Sequence, residues 1–109
     1  MSGSKSQRKG ASGEKELCEI FQQHGYTSVQ RPPAPSYGRQ PDLVGLEGIH
    51  VECKRSERLN IHEAMQQAQR DADAFCDGFP TVFHRRNRSP WLVTMKMEDW
   101  LKLYQNKRI

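Results

Sequence analysis

Three acids and a lysine stand out by type and spacing. Pro41-Asp42 is followed, after nine intervening residues, by Glu52-Cys53-Lys54, and Glu14 lies well upstream. Carboxylates from neighbouring strands can converge on one hard divalent cation, which takes oxygen ligands and usually keeps some of its waters. Asp42 and Glu52 are the candidate metal ligands, with Cys53 offering its backbone carbonyl and not its sulfur. Glu14 supplies a third carboxylate, directly or through water. Lys54 follows Glu52 by two residues, so on a strand the two share a face. There a lysine can orient or deprotonate a water, or stabilise charge on a phosphorane-like transition state. The chemistry that suits such a set is phosphodiester hydrolysis. Glu and Lys two apart on a strand are also what a solvent-facing charge pair looks like, and Glu14 alone is an ordinary first-turn helix charge. Asp42 at hairpin distance and Glu14 on the preceding helix weigh for the site.

The elements that must position these groups can be read from periodicity. Leu17, Ile20, Phe21 and His24 recur at helical spacing, Glu14, Glu16 and Glu19 favour the N-terminal half, and Gly25 fits a stop, so the first helix is expected over Gly13 to His24. Before it, residues 1–8 are Ser, Gly, Lys and Gln without periodicity and read as a flexible basic arm. A short strand is expected over Tyr26 to Arg31, then an exposed loop to Gln40, rich in Pro and Gly. Asp42 to Leu46 and Ile49 to Lys54 flank Glu47-Gly48 and should pair as an antiparallel hairpin. Asn60 can cap a helix with Glu63 three residues on, and Ile61, Met65, Ala68, Ala72 and Phe75 form its apolar stripe to Phe75. Two further strands, Thr81 to Arg86 and Trp91 to Met95, and a closing helix, Glu98 to Tyr104, complete the order α-β-β-β-α-β-β-α. The expectation is an α/β fold: a mixed twisted sheet flanked by helices, in a single domain over 1–109.

Pro41-Asp42 with Glu52-Cys53-Lys54 resembles the signature of the PD-(D/E)XK nuclease superfamily, whose core is restriction-endonuclease-like. Arg8-Lys9-Gly10-Ala11 with Glu14, followed by an amphipathic helix, Gly25 and a strand, resembles the start of archaeal-type Holliday junction resolvases. The likeness covers roughly residues 8 to 86. It implies that Glu14, Asp42, Glu52 and Lys54 are the catalytic positions, that the cofactor is Mg2+ with Mn2+ as a substitute, and that the working unit is a homodimer. Lys15 stands where the resolvases tend to carry arginine, and lysine cannot make the bidentate phosphate contact of that residue. The closing segment from Trp91 to Leu101 is more similar to small phage or prophage endonucleases. Gln69, beside the apolar stripe of the second helix, could reach the site edge, as a helix glutamine does in some relatives, but reads first as plain helix surface.

The 109 residues carry 17 Lys+Arg against 13 Asp+Glu, a net charge of +4. The excess clusters at the N-terminus, at His84 to Arg88 and at the C-terminus, which suits a polyanion. Arg8, Lys9, Lys15, Arg39, Arg55, Arg85 and Arg86 are the candidate DNA contacts. His24, His50, His62 and His84 show no metal spacing, and His50, sharing the face of Glu52, reads as a half-buried strand histidine. The three cysteines lack zinc-site spacing and read as reduced thiols. No run is apolar enough for a bilayer span or a signal peptide, so a soluble cytoplasmic protein without a membrane partner is expected, in a bacterial cell and encoded by the host, a phage or a prophage. Leu, Ile, Val and Phe total only 20 residues. Trp91, Val93, Met97, Trp100, Leu101 and Tyr104 therefore exceed what a thin monomer needs, which also points to a dimer. The leading function is a metal-dependent endonuclease of branched DNA such as Holliday junctions. The alternatives are a nickase or a flap or single-strand nuclease of the same superfamily, and a non-catalytic DNA-binding module. Against the module stand the acids, which weaken DNA binding unless a cation lies between.

Overall fold

A computed structural model describes the backbone of residues 2–33 and 40–107, and side chains within these ranges from Ser12 to Asn106. Its regular elements are α1 (Ser2–Gln23), β1 (Ile49–Arg55), α2 (Ile61–Phe75), β2 (Phe79–Arg85), β3 (Leu92–Met95) and α3 (Met97–Lys107). The sheet runs β1-β2-β3, with β1 parallel to β2 and β2 antiparallel to β3. The two remaining expected strands are present as extended segments with single antiparallel bridges, Gln30 to Val44 and Leu43 to Val51. The order α-β-β-β-α-β-β-α is therefore kept, but of the expected tight hairpin only the single bridge Leu43 to Val51 forms, a register one residue off a two-residue Glu47-Gly48 turn, with the chain turning through Gly48 at φ +82°.

Parallel β1 and β2 need a crossover, and α2 supplies it. Asn60 caps α2 as expected, its Oδ1 accepting from the Glu63 amide at 3.1 Å, and Cys76 ends it in the left-handed region with φ 52°. Gly78 then brings β2 alongside β1. Its φ is +130°, and a Cβ there would lie 2.2 Å from the Gly48 carbonyl carbon, so only glycine fits this approach.

Helices cover both faces of the sheet. On one face Leu17 and Cys18 of α1 pack with Val29, Leu43, Val51 and Phe83, and Trp91 closes against them. On the other, Ala64 and Ala68 of α2 pack on Val82. Trp91 thus belongs to the monomer core, unlike Val93, Met97, Trp100, Leu101 and Tyr104, which are exposed.

Helix α1 differs from expectation. It begins at Ser2, so the backbone of residues 2–8, expected as an arm, is helical. Their composition cannot nucleate a helix, but residues added to an existing one carry no nucleation cost. Of the expected loop, residues 34–39 lie outside the described residues, while Arg31, Pro33 and Gln40 are exposed. No helix among the described residues is long and apolar enough to cross a membrane.

Candidate active site

The site forms on β1 because both faces of this strand are covered. Gly13 lets α1 approach closely: a Cβ there would lie 3.2 Å from Arg55 Cβ and 3.6 Å from Cys53 Sγ. Glu14, the next residue, is thereby drawn to the sheet, where it meets Arg31 at 3.6 Å. The hairpin brings Asp42 to the same place, its Oδ2 accepting from the Cys53 amide at 2.7 Å.

The electrostatics register this convergence. Burial pushes the Asp42 carboxyl up to about 7, and the charges of Glu52 and Glu14 add to the rise against the Cys53 amide and Lys54. Glu14 is raised too, by burial and by Glu52, against Arg31. The Cys53 thiol is pushed up to about 12 by burial and by Asp42, Glu14 and Glu52, so its sulfur stays protonated. The hard oxygen donors of Asp42, Glu52 and Glu14 suit a divalent cation of the Mg2+ or Mn2+ type, and the raised pKa of Asp42 marks a carboxyl that a cation would help to ionise.

Glu52 is handled differently. It is 4% exposed, and burial would raise its pKa. Its hydrogen bond with His50, the charges of Lys54 and His50 and a hydrogen bond with Asp71 outweigh that cost and hold it below the usual value. Lys54 Nζ is 3.6 Å from its Oε2. Gln67 on α2 bridges the two, its Nε2 donating to Glu52 Oε2 at 3.2 Å and its Oε1 accepting from Lys54 Nζ at 2.9 Å. Gln67 therefore takes the site edge, while Gln69 lies on the helix surface and donates to Asp73 at 2.9 Å.

His50 was expected half buried and is fully buried. Its Nε2 faces Glu52 Oε1 at 3.4 Å, and its Nδ1 lies 2.9 Å from both carboxylate oxygens of Asp77. Burial opposes a charged imidazole here, but the bonds to Glu52 and Asp77 outweigh it and raise the His50 pKa. Ligand atoms of His50, Glu52 and Asp71 lie within 4.8 Å of one another. Asp71 was not anticipated. Its signal in sequence is an acid three residues after Ala68 and seven after Ala64, on the buried stripe of α2.

The candidate DNA contacts divide. Arg85 is engaged internally: Nε and Nη2 donate to the two Glu16 carboxylate oxygens at 2.8 and 3.0 Å, and Trp91 Nε1 donates to the same group at 2.7 Å. Arg55 donates to Asn87 Oδ1 at 3.0 Å, and its Nε is buried with no hydrogen-bond partner. Lys15 and Arg86 are exposed. Arg39 and the side chains of Arg8 and Lys9 lie outside the described residues.

A family model, archaeal Holliday junction resolvase (Hjc), matches residues 5–100. The chain belongs to this family. It is thereby a member of the PD-(D/E)XK nuclease superfamily, and the match takes in Glu14, Asp42, Glu52, Lys54 and the bridging Gln67. Neither the curated proteins nor the solved structures contain a significant match. For a resolvase-family chain the layout is apt, because the acids and Lys54 come from α1, the hairpin and β1, all tied down by packing.

Proposed function

We propose that the chain is a metal-dependent endonuclease that hydrolyses phosphodiester bonds in branched DNA, with the four-way junction as leading substrate, Mg2+ as cofactor and Mn2+ as a working substitute. The observation that carries this reading is Asp42 seated on the Cys53 amide and electrostatically coupled to Glu52 and Glu14, next to a Glu52–Lys54 pair bridged by Gln67. In this reading Asp42, Glu52 and the Cys53 carbonyl hold the cation, with Glu14 reaching it through water. When bound, the cation would activate water and neutralise charge gathering on the phosphate. Lys54 is the group that moves a proton at the attacking water or balances the transition-state charge, and Gln67 fixes its Nζ. Lys15 and Arg86 remain candidates for phosphate contact, together with Arg8, Lys9 and Arg39. The cytoplasm is the proposed place of action.

A homodimer belongs to the same proposal. Leu92, Val93, Met97, Trp100 and Tyr104 are 46% to 68% exposed, and Trp100 stacks on Tyr104 with ring centroids 5.2 Å apart. An apolar surface of this kind suits a second copy, and two-fold symmetry would pair two sites for two incisions. The test incubates the protein with a synthetic four-way junction, a flap, single-stranded DNA and a plain duplex, each with Mg2+, Mn2+ or chelator. Cation-dependent cutting of the junction in preference to duplex is expected. Undiminished cleavage in excess chelator refutes the metal mechanism, and a flap or single-strand preference moves the assignment to another nuclease of the superfamily. Light scattering should give a two-chain mass, and a clean monomer with and without junction refutes the dimer.

A further inference from the structure

Next to Glu52 and Lys54 the fold leaves an open groove of about 650 Å³ between the end of β1 and the first ten residues of α2, as far as Arg70. Lys54 and Gln67 form part of its wall and are also the partners of Glu52, so the groove opens directly from the candidate site. Arg58 and Arg70 line it too, both exposed, against a single carboxylate, Glu63. Asn60, the cap of α2, belongs to the same wall, so the positive end of a 15-residue helix lies at the groove. No aromatic side chain lines it, which leaves no stacking platform for bases. Of the cationic groups expected to hold phosphate elsewhere, Arg85 and Arg55 are engaged within the protein, with Glu16 and Asn87.

We propose that this groove binds the sugar-phosphate backbone of the DNA strand on one side of the cleaved phosphate, with Arg58 and Arg70 contacting flanking phosphates. The inference rests on the nuclease reading and deepens it, because a strand whose phosphate sits at Asp42, Glu52 and Lys54 must continue along the surface. This groove is the adjoining cationic exit. Contacts of this kind position the strand and carry no base preference. They make Arg58 and Arg70, outside the PD-(D/E)XK motif, part of the substrate site.

The test measures DNA binding by fluorescence anisotropy in chelator, using Asp42→Asn protein so that nothing is cut, over roughly 50 to 200 mM salt. Each lost duplex phosphate contact flattens the slope of log K against log salt by about 0.9. Adding Arg58→Ala and Arg70→Ala should therefore flatten it by about 1.8 on duplex arms, with the melting temperature unchanged because both side chains are exposed. Arg58→Lys with Arg70→Lys should retain most of the slope, since lysine still serves as a point charge for phosphate. An unchanged slope in the double alanine protein, while the Asp42→Asn parent binds DNA, overturns the groove. A parent that binds no DNA at all overturns the nuclease reading beneath it, so the two failures are told apart.

Discussion

Asp42→Asn should stabilise the metal-free protein at neutral and mildly alkaline pH, although it removes a candidate metal ligand. The Asp42 carboxyl is raised from 3.8 to about 7, first by burial and then by Glu52 and Glu14. Between those values the folded chain holds a proton that the unfolded chain has released. Stability therefore falls as pH rises, because the native state binds the extra proton. The contribution is fully present below about pH 4, drains away through the window from 4 to 7, and is gone above it. At about 1.4 kcal/mol for each tenfold change in proton affinity, the full displacement is worth about 4 kcal/mol. Water reaching the site screens part of this, and half of it, about 2 kcal/mol, already moves the melting temperature of a chain this size by roughly 8 °C or more. Asparagine keeps the shape and can still accept the 2.7 Å bond from the Cys53 amide, so the variant escapes the charge penalty alone. The assay is thermal melting in chelator at pH 5, 6, 7 and 8, parent beside variant. The parent should lose ground to Asp42→Asn over this range, and Mg2+ should restore the parent at pH 8 but not the variant. If the two melting curves run parallel in pH, the reasoning fails.

The remaining expectations follow from single contacts. Lys54→Ala should leave cation binding, measured by calorimetry, largely in place and lower turnover about 100-fold or more; a near-normal rate would make Lys54 a mere charge partner of Glu52. Gln67→Ala releases both Lys54 Nζ and Glu52 Oε2 and should cost roughly 10-fold in cation affinity or turnover, as loss of an orienting partner does, whereas Gln69→Ala should cost nothing measurable in either. Glu16→Ala strips Arg85 and Trp91 of their shared acceptor and should lower stability by about 1 kcal/mol, read as a denaturation midpoint. Arg85→Ala should leave the salt dependence of DNA binding unchanged, and a flattened slope would return Arg85 to the phosphate surface.

What was legible in the sequence is what short-range pattern controls. The bounds of α2, its Asn60 cap, the Gly48 turn and the pairing that carries Asp42 to β1 depend on neighbours a few residues apart. So does the shared face of Glu52 and Lys54. The misreadings lie where distant segments decide. His50 reads as half buried because it alternates with apolar residues, but a parallel β-α-β unit lays its helix over that face and buries both His50 and Glu52. Gln67 and Gln69 both flank the stripe of α2, and only the rotation of the helix over β1 selects Gln67. Arg85 reads as surface charge because its partner, Glu16, lies 69 residues away.

In the proposed metal site the two carboxylates of the PD-(D/E)XK pair would therefore enter cation binding in different states, and the fold accounts for the difference. Asp42 comes in from the hairpin, at the edge of the sheet, and buries its charge against one backbone amide in the presence of two other acids. Glu52 points to the α2 side, where His50, Lys54, Gln67 and Asp71 converge on it and keep it ionised. Environments that push two carboxylates apart are how one site assigns distinct roles to identical groups. In the proposed site Glu52 would be the anchor already charged, and Asp42 the ligand that must give up a proton. Below pH 7, cation uptake should be coupled to proton release from Asp42, so affinity climbs with pH and levels once the carboxyl is ionised. Because Asp77 grips His50 behind Glu52, α2 and the turn after it hold the anchor in place from the side of the sheet opposite α1 and Glu14.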